Sequence, residues 1–162
     1  MTLFWGGPAG ARPAFVFTSM DDDEAGGRGV GKTTLTDIMS ELAGGALDFS
    51  AKLTDIEAFK KRVLTSSGER VIRFDNVKTS RLSNGDIEGM ITLPQVSGHV
   101  MFHGNGTLPN DFTYLFTFND VSFSKDMAQR AIPIKLQRPD YTGDWAAAVF
   151  AFMRENRLQI IA

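Results

Sequence analysis

The stretch GGRGVGKTTL, residues Gly26 to Leu35, places glycines beside two basic side chains, Arg28 and Lys32, within ten positions. The compact apolar run Phe15–Phe17 precedes this stretch and is typical of a buried strand. Apolar side chains follow it at the spacing of one helix face: Leu35, Ile38, Met39 and Leu42. The stretch is therefore predicted to join a buried strand to an amphipathic helix.

This junction carries the pattern G-x-x-x-x-G-K-T, with Gly26, Gly31, Lys32 and Thr33 at the fixed positions. A strand before it and a helix after it are the context that a phosphate-binding P-loop (Walker A) requires. Glycines let main-chain N–H groups point inward and cradle phosphate oxygens, and the helix N-terminus adds partial positive charge. Glycine makes up only about 7% of average sequence, so the match favours a phosphate site over an ordinary glycine-rich turn.

The motif predicts a role for each of its residues. Lys32 is expected to bridge the β- and γ-phosphates of ATP, and the Thr33 hydroxyl is expected to bind Mg²⁺. The insert Thr18–Ala25 contains several acids, which we expect to face water rather than the nucleotide. The predicted nucleotide-binding residues are Gly26, Gly27, Arg28, Gly29, Val30, Gly31, Lys32, Thr33 and Thr34.

The composition of the chain narrows its class. It has 162 residues, 43% apolar content and a formal net charge of −2, which fit one domain without a global preference for polyanions. There is no cysteine, and His99 and His103 are the only histidines, so thiolate and histidine-built metal sites are excluded. Residues 1–13 lack the basic start and apolar core that are typical of a signal peptide, and no apolar run approaches the length of a membrane span. We expect a cytoplasmic domain with no membrane partner.

Alternation of strands and helices predicts the fold class. Further strands are expected at Ala46–Phe49, Arg70–Phe74, Phe112–Phe118 and Ala131–Leu136, with helical patterns between them. This order is typical of a doubly wound α/β fold with a mainly parallel five-stranded sheet. Pro133 places the last strand at an edge, because proline cannot donate to an interior ladder.

Two local features add to this outline. The apolar residues of Val100–Leu108 flank Asn105-Gly106, which predicts a β-hairpin turning at that dipeptide, before the fourth strand. Near the end of the chain, four residues define a last amphipathic helix: Trp145, Val149, Phe152 and Met153. For this helix, core packing is the favoured interpretation.

A carboxylate and an amide follow the third strand. Asp75 ends it, and an aspartate at that place in P-loop ATPases holds Mg²⁺; a simple turn-starting aspartate is the alternative. Asn76 follows, where such ATPases usually have a glutamate that prepares the attacking water. An amide cannot accept that proton, so Asn76 would orient water or hydrolysis would be slow. Glu88 is a distant substitute and is not favoured as the base.

Two further polar residues are candidates for catalysis. Asn119 ends the strand FTYLFTFN, where it would lie beside the γ-phosphate and the lytic water. Arg130 follows one short helix later, near the predicted sheet edge, from which it could reach the nucleotide of a neighbouring subunit.

Four ordered segments, RGVGKTT, RVIRFDNVK, FTYLFTFN and SKDMAQRAIPIKL, together resemble the AAA+ ATPases over about residues 14–136. More narrowly, they look like superfamily-3 viral helicases and the helicase parts of phage or mobile-element primase proteins. The resemblance implies Asn119 as sensor-1, Arg130 as an arginine finger acting in trans, and strand order 5-1-4-3-2. It also implies a homo-oligomeric ring, usually of six subunits.

In such helicases a hairpin before sensor-1 points into the ring channel and grips DNA. The resemblance gives this place to Val100–Leu108, and with it makes His103 and Asn105 candidate contacts to single-stranded or duplex DNA. Lys78 is a further candidate. A surface histidine at a turn and a solvated lysine are the competing interpretations.

The chain is expected to comprise a lead-in (residues 1–13), an ATPase core (14–138) and a C-terminal helix (139–162), the last as the truncated start of a following segment. The leading hypothesis is an ATP- and Mg²⁺-dependent motor module acting on nucleic acid in phage or mobile-element replication. A nucleotide-gated assembly module with weak or no hydrolysis is the alternative, and a small-molecule kinase is a third, weaker one.

Overall fold

A computed structural model describes residues 10–20, 29–49, 56–66, 68–77, 81–82, 85–100, 104–119, 121–137 and 144–161. In chain order the elements are β1 (Ala14–Ser19), α1 (Lys32–Leu42), β2 (Leu47–Phe49), α2 (Ile56–Leu64), β3 (Val71–Val77), β4 (Arg81–Leu82), α3 (Gly85–Thr92), β5 (Gln95–Val100), β6 (Gly104–Pro109), β7 (Thr113–Phe118), β8 (Ser122–Phe123), α4 (Lys125–Ala128), β9 (Ala131–Leu136) and α5 (Trp145–Ile161).

The central sheet has five strands in the order β2-β3-β7-β1-β9, and all of its pairings are parallel. The predicted α/β fold with a mainly parallel five-stranded sheet is confirmed. Counting these five strands alone along the chain, their spatial order is 5-1-4-3-2. Two small sheets accompany it, a parallel pair of β4 with β8 and an antiparallel pair of β5 with β6.

Burial follows the position of each strand in the sheet. Every residue of the central strand β7 is buried, as expected for a parallel strand covered on both faces. The edge strand β9 is only partly buried and carries Pro133, which lies beside Val16 of β1. An edge position tolerates proline because the ladder needs no donor on its outer side.

Helices cover the sheet on both faces. One face packs on α2, α3 and α4 in a large apolar cluster that includes a row of phenylalanine rings; the Phe74 and Phe116 centroids lie 4.7 Å apart. The other face contributes Phe17, Val71 and Leu115 to a smaller cluster with Leu35 and Met39 of α1. The helix that follows the glycine-rich loop is therefore fixed directly on the sheet.

The last helix runs alongside α1. Trp145 at its start lies against Gly31 at the start of α1, and Arg157 donates a hydrogen bond of 3.0 Å to the Leu42 carbonyl at the end of α1. Arg154 forms an ion pair with Glu41, which lowers the pKa of that exposed carboxyl, chiefly through their hydrogen bond. The two helices therefore run parallel to each other.

Helix α5 is less amphipathic than its pattern indicated. Met153 is buried, but Val149 and Phe152 are exposed, Phe152 by 62%. The expectation of one apolar stripe carrying all three residues is wrong, because α5 rests on α1 and only a narrow strip of its surface is covered.

The predicted position of the hairpin turn is wrong, although β5 and β6 do pair antiparallel. Asn105 and Gly106 lie inside β6, opposite His99 and Gly98 of β5, and the connection runs through residues 101–103, which are outside the described residues. A Cβ on Gly98 would lie 3.2 Å from the Leu64 side chain, so glycine here permits close approach of α2. Gly104, with φ of +79°, supplies the left-handed backbone beside the connection.

A buried polar side chain fixes the end of α3. The Asn110 amide donates to the carbonyls of Met90 and Leu93, both at 2.6 Å, and accepts from the Tyr114 hydroxyl at 2.9 Å. Burial raises the pKa of Tyr114 far above its ordinary value, so the phenol stays protonated as a donor. The helix that carries Glu88 is thus held against the central strand.

We expect Asn110→Ala to lower the free energy of unfolding by about 1–3 kcal/mol, because it removes two hydrogen bonds to backbone carbonyls and the nearest acceptor of the Tyr114 hydroxyl. Urea denaturation followed by circular dichroism measures this loss. Ser97→Ala removes an exposed hydrogen bond to Thr107 and is the control, with an expected change within about 0.5 kcal/mol. Equal stability of the two variants would contradict a structural role for Asn110.

Candidate functional site

The carboxyl end of β1 leads toward the start of α1, where part of the predicted phosphate loop is described. Gly29 and Gly31 have φ of +76° and +86°, a conformation that side chains rarely adopt. Gly31 caps α1 without a side chain, and the first turn of the helix holds no acid. The positive end of α1 is therefore not neutralised by its own residues. Gly26, Gly27 and Arg28 lie outside the described residues.

The remaining loop residues differ in exposure. Val30 and Lys32 are buried, with Lys32 only 8% exposed, whereas the Thr33 side chain is exposed and Thr34 is half-buried. Because α1 begins at Lys32, this lysine and both threonines belong to its first turn. The structure thus presents the Thr33 hydroxyl at the start of the helix.

Asp75 lies at the centre of a hydrogen-bond network that joins three elements. Its Oδ1 accepts from the Thr33 hydroxyl of α1 at 3.0 Å and from the Thr117 hydroxyl of β7 at 2.7 Å. The Thr117 oxygen in turn accepts from the Asn76 backbone N–H at 2.7 Å. The sequence placed Thr33 and Asp75 in one site, and the structure brings them into direct contact.

An irregularity in β3 makes this network possible. The sequence placed Asp75 and Asn76 at the strand's end, but β3 continues to Val77 with a register shift after Phe74. Asn76 has a φ of +51°, a left-handed conformation that asparagine tolerates better than most residues. This bulge turns the Asn76 N–H toward Thr117 and leaves the Asn76 side chain exposed. Such local strain is common at functional sites.

An arginine on the same strand forms ion pairs with two neighbouring elements. Arg73, two residues before Asp75 and therefore on the same face, pairs with Asp37 of α1 and Asp48 of β2. Burial opposes the charge of Arg73, but the hydrogen bonds to both carboxylates outweigh it and raise its pKa. This arrangement fixes α1 to β3 independently of the Thr33–Asp75 contact.

Asn119 follows β7 at the same edge of the sheet. Its backbone carbonyl accepts a hydrogen bond of 3.0 Å from the Ser19 hydroxyl at the end of β1, and its side chain is exposed. The carboxyl ends of β1, β3 and β7 therefore gather Ser19, Asp75 and Asn119 at one edge. In open α/β sheets this is the edge where ligands bind.

Arg130 is not part of this cluster. It directly precedes β9, whose first residue Ala131 pairs with the first residue of β1, Ala14. Arg130 therefore lies at the amino edge of the sheet, about 20 Å along a six-residue strand from the carboxyl edge. Its guanidinium faces Glu88 of α3, with an N–O distance of 3.6 Å.

The candidate nucleic-acid residues are only partly described. Asn105 is exposed on β6, where its Oδ1 lies 3.2 Å from His99 Nδ1 across the hairpin. Lys78 and His103 lie outside the described residues. The role of all three in binding nucleic acid stays a prediction.

Two residues at the site were missed from sequence. Thr117 was not singled out, although a threonine amid the buried aromatic residues of β7 is a detectable signal. Trp145 was assigned to core packing, yet its indole lies 3.2 Å from where a Cβ on Gly31 would be. The ring therefore packs on the backbone of the predicted phosphate loop, and both the φ of Gly31 and this close contact disfavour a side chain there.

The side-chain oxygens of Asp75 and Thr33 are suitable ligands for a hard cation. A carboxylate and a hydroxyl are oxygen ligands of the kind that Mg²⁺ takes, usually with one or two carboxylates, phosphates and water completing the shell. Within the described segments, no three acidic, histidine or cysteine side chains group into a metal cage. Asp75 and Thr33 could therefore hold Mg²⁺ together with a phosphate ligand.

We expect Thr117→Val to lower the free energy of unfolding by about 1–2 kcal/mol, because it removes the donor to Asp75 and the acceptor of the Asn76 N–H. Hydrogen exchange should also show faster exchange of the Asn76 amide. Thr117→Ser keeps the hydroxyl and should preserve slow exchange. Similar exchange in both variants would show that the hydroxyl does not organise this edge.

Comparisons with known proteins agree with the fold. No protein-family model matches the sequence, and no curated protein matches it. Among solved structures, an X-ray structure of JCV helicase matches with a TM-score of 0.51 and 14% identity, over 92% of this chain and 41% of the helicase chain. The helicase bound to a thiazolopyridine acetamide matches with a TM-score of 0.51 and 13% identity, over 92% of this chain and 42% of the helicase chain. An inhibitor-bound form matches with a TM-score of 0.50 and 16% identity, over 92% of this chain and 41% of the helicase chain.

These likenesses concern the fold, since the identities are low. The chain spans less than half the length of the JCV helicase chains that it matches. No helix in the described segments is long and apolar enough to cross a membrane. The protein thus has an α/β fold similar to that of a viral helicase, with its polar cluster at the carboxyl edge of the sheet.

Proposed function

We propose that this domain binds and hydrolyses ATP as an AAA+-like, superfamily-3-like motor module. The observation that supports the proposal most directly is the contact of Thr33 with Asp75, held by Thr117, at the N-terminus of α1. A loop of left-handed glycines, a helix N-terminus free of acids and an oriented carboxylate are the parts that a P-loop ATPase needs.

Each group has a distinct part in the proposed site. The N–H groups around Gly29 and Gly31 and the start of α1 attract the phosphates, and Lys32 adds the ammonium that neutralises them. Thr33 and Asp75 would hold Mg²⁺, which would supply positive charge against the negative charge of the phosphates. Thr117 keeps the carboxylate of Asp75 oriented by its hydrogen bond.

The attacking water would be held by amides rather than activated by a carboxylate. Asn76 and Asn119 both have exposed side chains near the carboxyl edge, and both can donate and accept hydrogen bonds. Neither can accept a proton at neutral pH, so they orient the water and the transferring phosphoryl takes up the proton. We therefore expect slow intrinsic turnover.

A second subunit would complete each site. Arg130 lies at the amino edge of its own sheet and cannot reach a phosphate at the carboxyl edge of that subunit. A ring arrangement would bring it to the nucleotide of the next copy, where an arginine finger stabilises the transferring phosphoryl. The ring, hexameric by resemblance, would act on DNA through the hairpin that carries Asn105, in phage or mobile-element replication of the primase-helicase type.

The main alternative is a nucleotide-gated assembly module that binds ATP and hydrolyses it little or not at all. Asn76 favours it, because no described carboxylate other than Asp75 lies in the network around it; Glu88 is engaged by Ser124 and Arg130 instead. ATP-dependent assembly without phosphate release would support this alternative.

We expect Arg130→Ala to keep ATP affinity and lose turnover by about 10³-fold or more, because the finger acts on the transition state of a neighbour. Lys32→Ala should lose ATP binding. A nucleotide-binding titration and steady-state phosphate release separate the two effects. A mixture of the two variants should recover turnover, since a Lys32→Ala subunit can donate its Arg130 to an Arg130→Ala neighbour.

Turnover that is unchanged in Arg130→Ala would contradict the role in trans. ATP binding and assembly by the unsubstituted chain without phosphate release would favour the assembly module. ATP-dependent phosphate transfer to a small molecule, with no response to long DNA, would favour a kinase.

A further inference from the structure

A partly buried carboxylate outside the phosphate site faces the arginine that the proposed function uses. Glu88 lies on α3 with 14% of its side chain exposed, and its two oxygens have different partners. Oε1 accepts a hydrogen bond of 3.0 Å from the Ser124 hydroxyl, and Oε2 lies 3.6 Å from Nη1 of Arg130.

These partners are the two ends of one short segment. Ser124 is the N-cap of α4, where its Oγ accepts from the Met127 N–H at 3.1 Å, and the Arg130 N–H bonds back to the Met127 carbonyl. One carboxylate therefore holds the start of the segment through a hydroxyl and its end through a guanidinium. Glu88 therefore contacts the cap of the segment that carries Arg130 and, through an ion pair, the Arg130 side chain itself.

Glu88 is itself held in place. Helix α3 is fixed at its C-terminal end by Asn110, and the neighbouring residues Ile87 and Ile91 are buried in the main apolar cluster. A carboxylate on an anchored helix can orient a long, flexible side chain. A fully exposed carboxylate would instead move together with that side chain.

The contact leaves Arg130 able to bind a second partner. The pair involves one guanidinium nitrogen, and the Arg130 side chain is 38% exposed. Guanidinium is planar with five N–H donors, so one edge can face Glu88 while the other faces an incoming phosphate. A triphosphate suits the edge that faces away from Glu88, because its oxygens can accept two charge-assisted hydrogen bonds from one guanidinium.

We propose that Glu88 is a positioning residue for Arg130, holding the guanidinium at the subunit surface in the orientation in which it meets the triphosphate of a neighbouring copy. The inference rests on the proposed function, because it assigns Glu88 a part in the same reaction. Glu88 makes no contact with nucleotide in this scheme and acts only through Arg130.

The test uses the mixture in which Lys32→Ala subunits donate Arg130 and Arg130→Ala subunits bind ATP. Glu88→Gln placed in the donor subunit should lower turnover of the mixture about three- to tenfold, the effect of freeing one immobilised side chain. The same substitution in the Arg130→Ala subunit should leave turnover unchanged, because that subunit contributes no finger. Glu155→Gln on the exposed face of α5 is the control for loss of a carboxylate in the donor.

The two placements distinguish positioning from folding. Equal losses with Glu88→Gln in either subunit, or no loss in the donor, would overturn the inference while leaving the ATPase intact. A mixture without Glu88→Gln that shows no turnover, although the unsubstituted chain hydrolyses ATP, would overturn the role of Arg130 in trans and this inference with it. An unsubstituted chain with no turnover would overturn hydrolysis itself.

Discussion

The hydrogen bonds to Asp75 are the constraint on which the site depends. One carboxylate oxygen accepts from Thr33 on α1 and from Thr117 on β7, so three separate elements meet at a single atom. The parallel register aligns Phe74 with Phe116, which places Asp75 next to Thr117, and the bulge at Asn76 then completes the network. The polar edge is therefore built by the parallel pairing of strands that are distant in sequence, together with the start of α1, which carries Thr33.

The same sheet separates the groups that act together in the proposed mechanism. Its carboxyl edge holds Thr33, Asp75 and Asn119, and its amino edge holds Arg130. The roughly 20 Å of strand between these edges is the reason that the proposed mechanism places Arg130 at the nucleotide of a neighbouring copy. Glu88 also lies beside Arg130, and its two oxygens contact Ser124 and Arg130 respectively.

The sequence predicted the features that local pattern encodes. The apolar runs gave the five central strands, and the glycine motif placed Lys32 and Thr33 at the start of a helix. Contacts that depend on how distant segments of the chain pair or pack could not be predicted from local sequence pattern. Thr117 is an ordinary residue of β7 until pairing with β3 brings it to Asp75, and Trp145 reaches Gly31 only because α5 runs along α1.

The failure at the hairpin has the same origin. Asn105-Gly106 has strong turn propensity, but Gly98 and Gly106 face each other across the ladder and lie against Leu64 of α2. Tertiary packing thus uses glycine for close approach, and the turn lies elsewhere. Glu88 is not favoured from sequence as a base for hydrolysis, and in the structure its carboxylate contacts Ser124 and Arg130.

The most direct measurement is a calorimetric titration of the folded chain with ATP, made with magnesium and repeated with the magnesium chelated. The account predicts saturable binding that weakens several-fold without magnesium, because Thr33 and Asp75 then hold no cation between themselves and the phosphates. Heats that do not exceed dilution in both titrations, for a chain whose circular dichroism shows it folded, would contradict it.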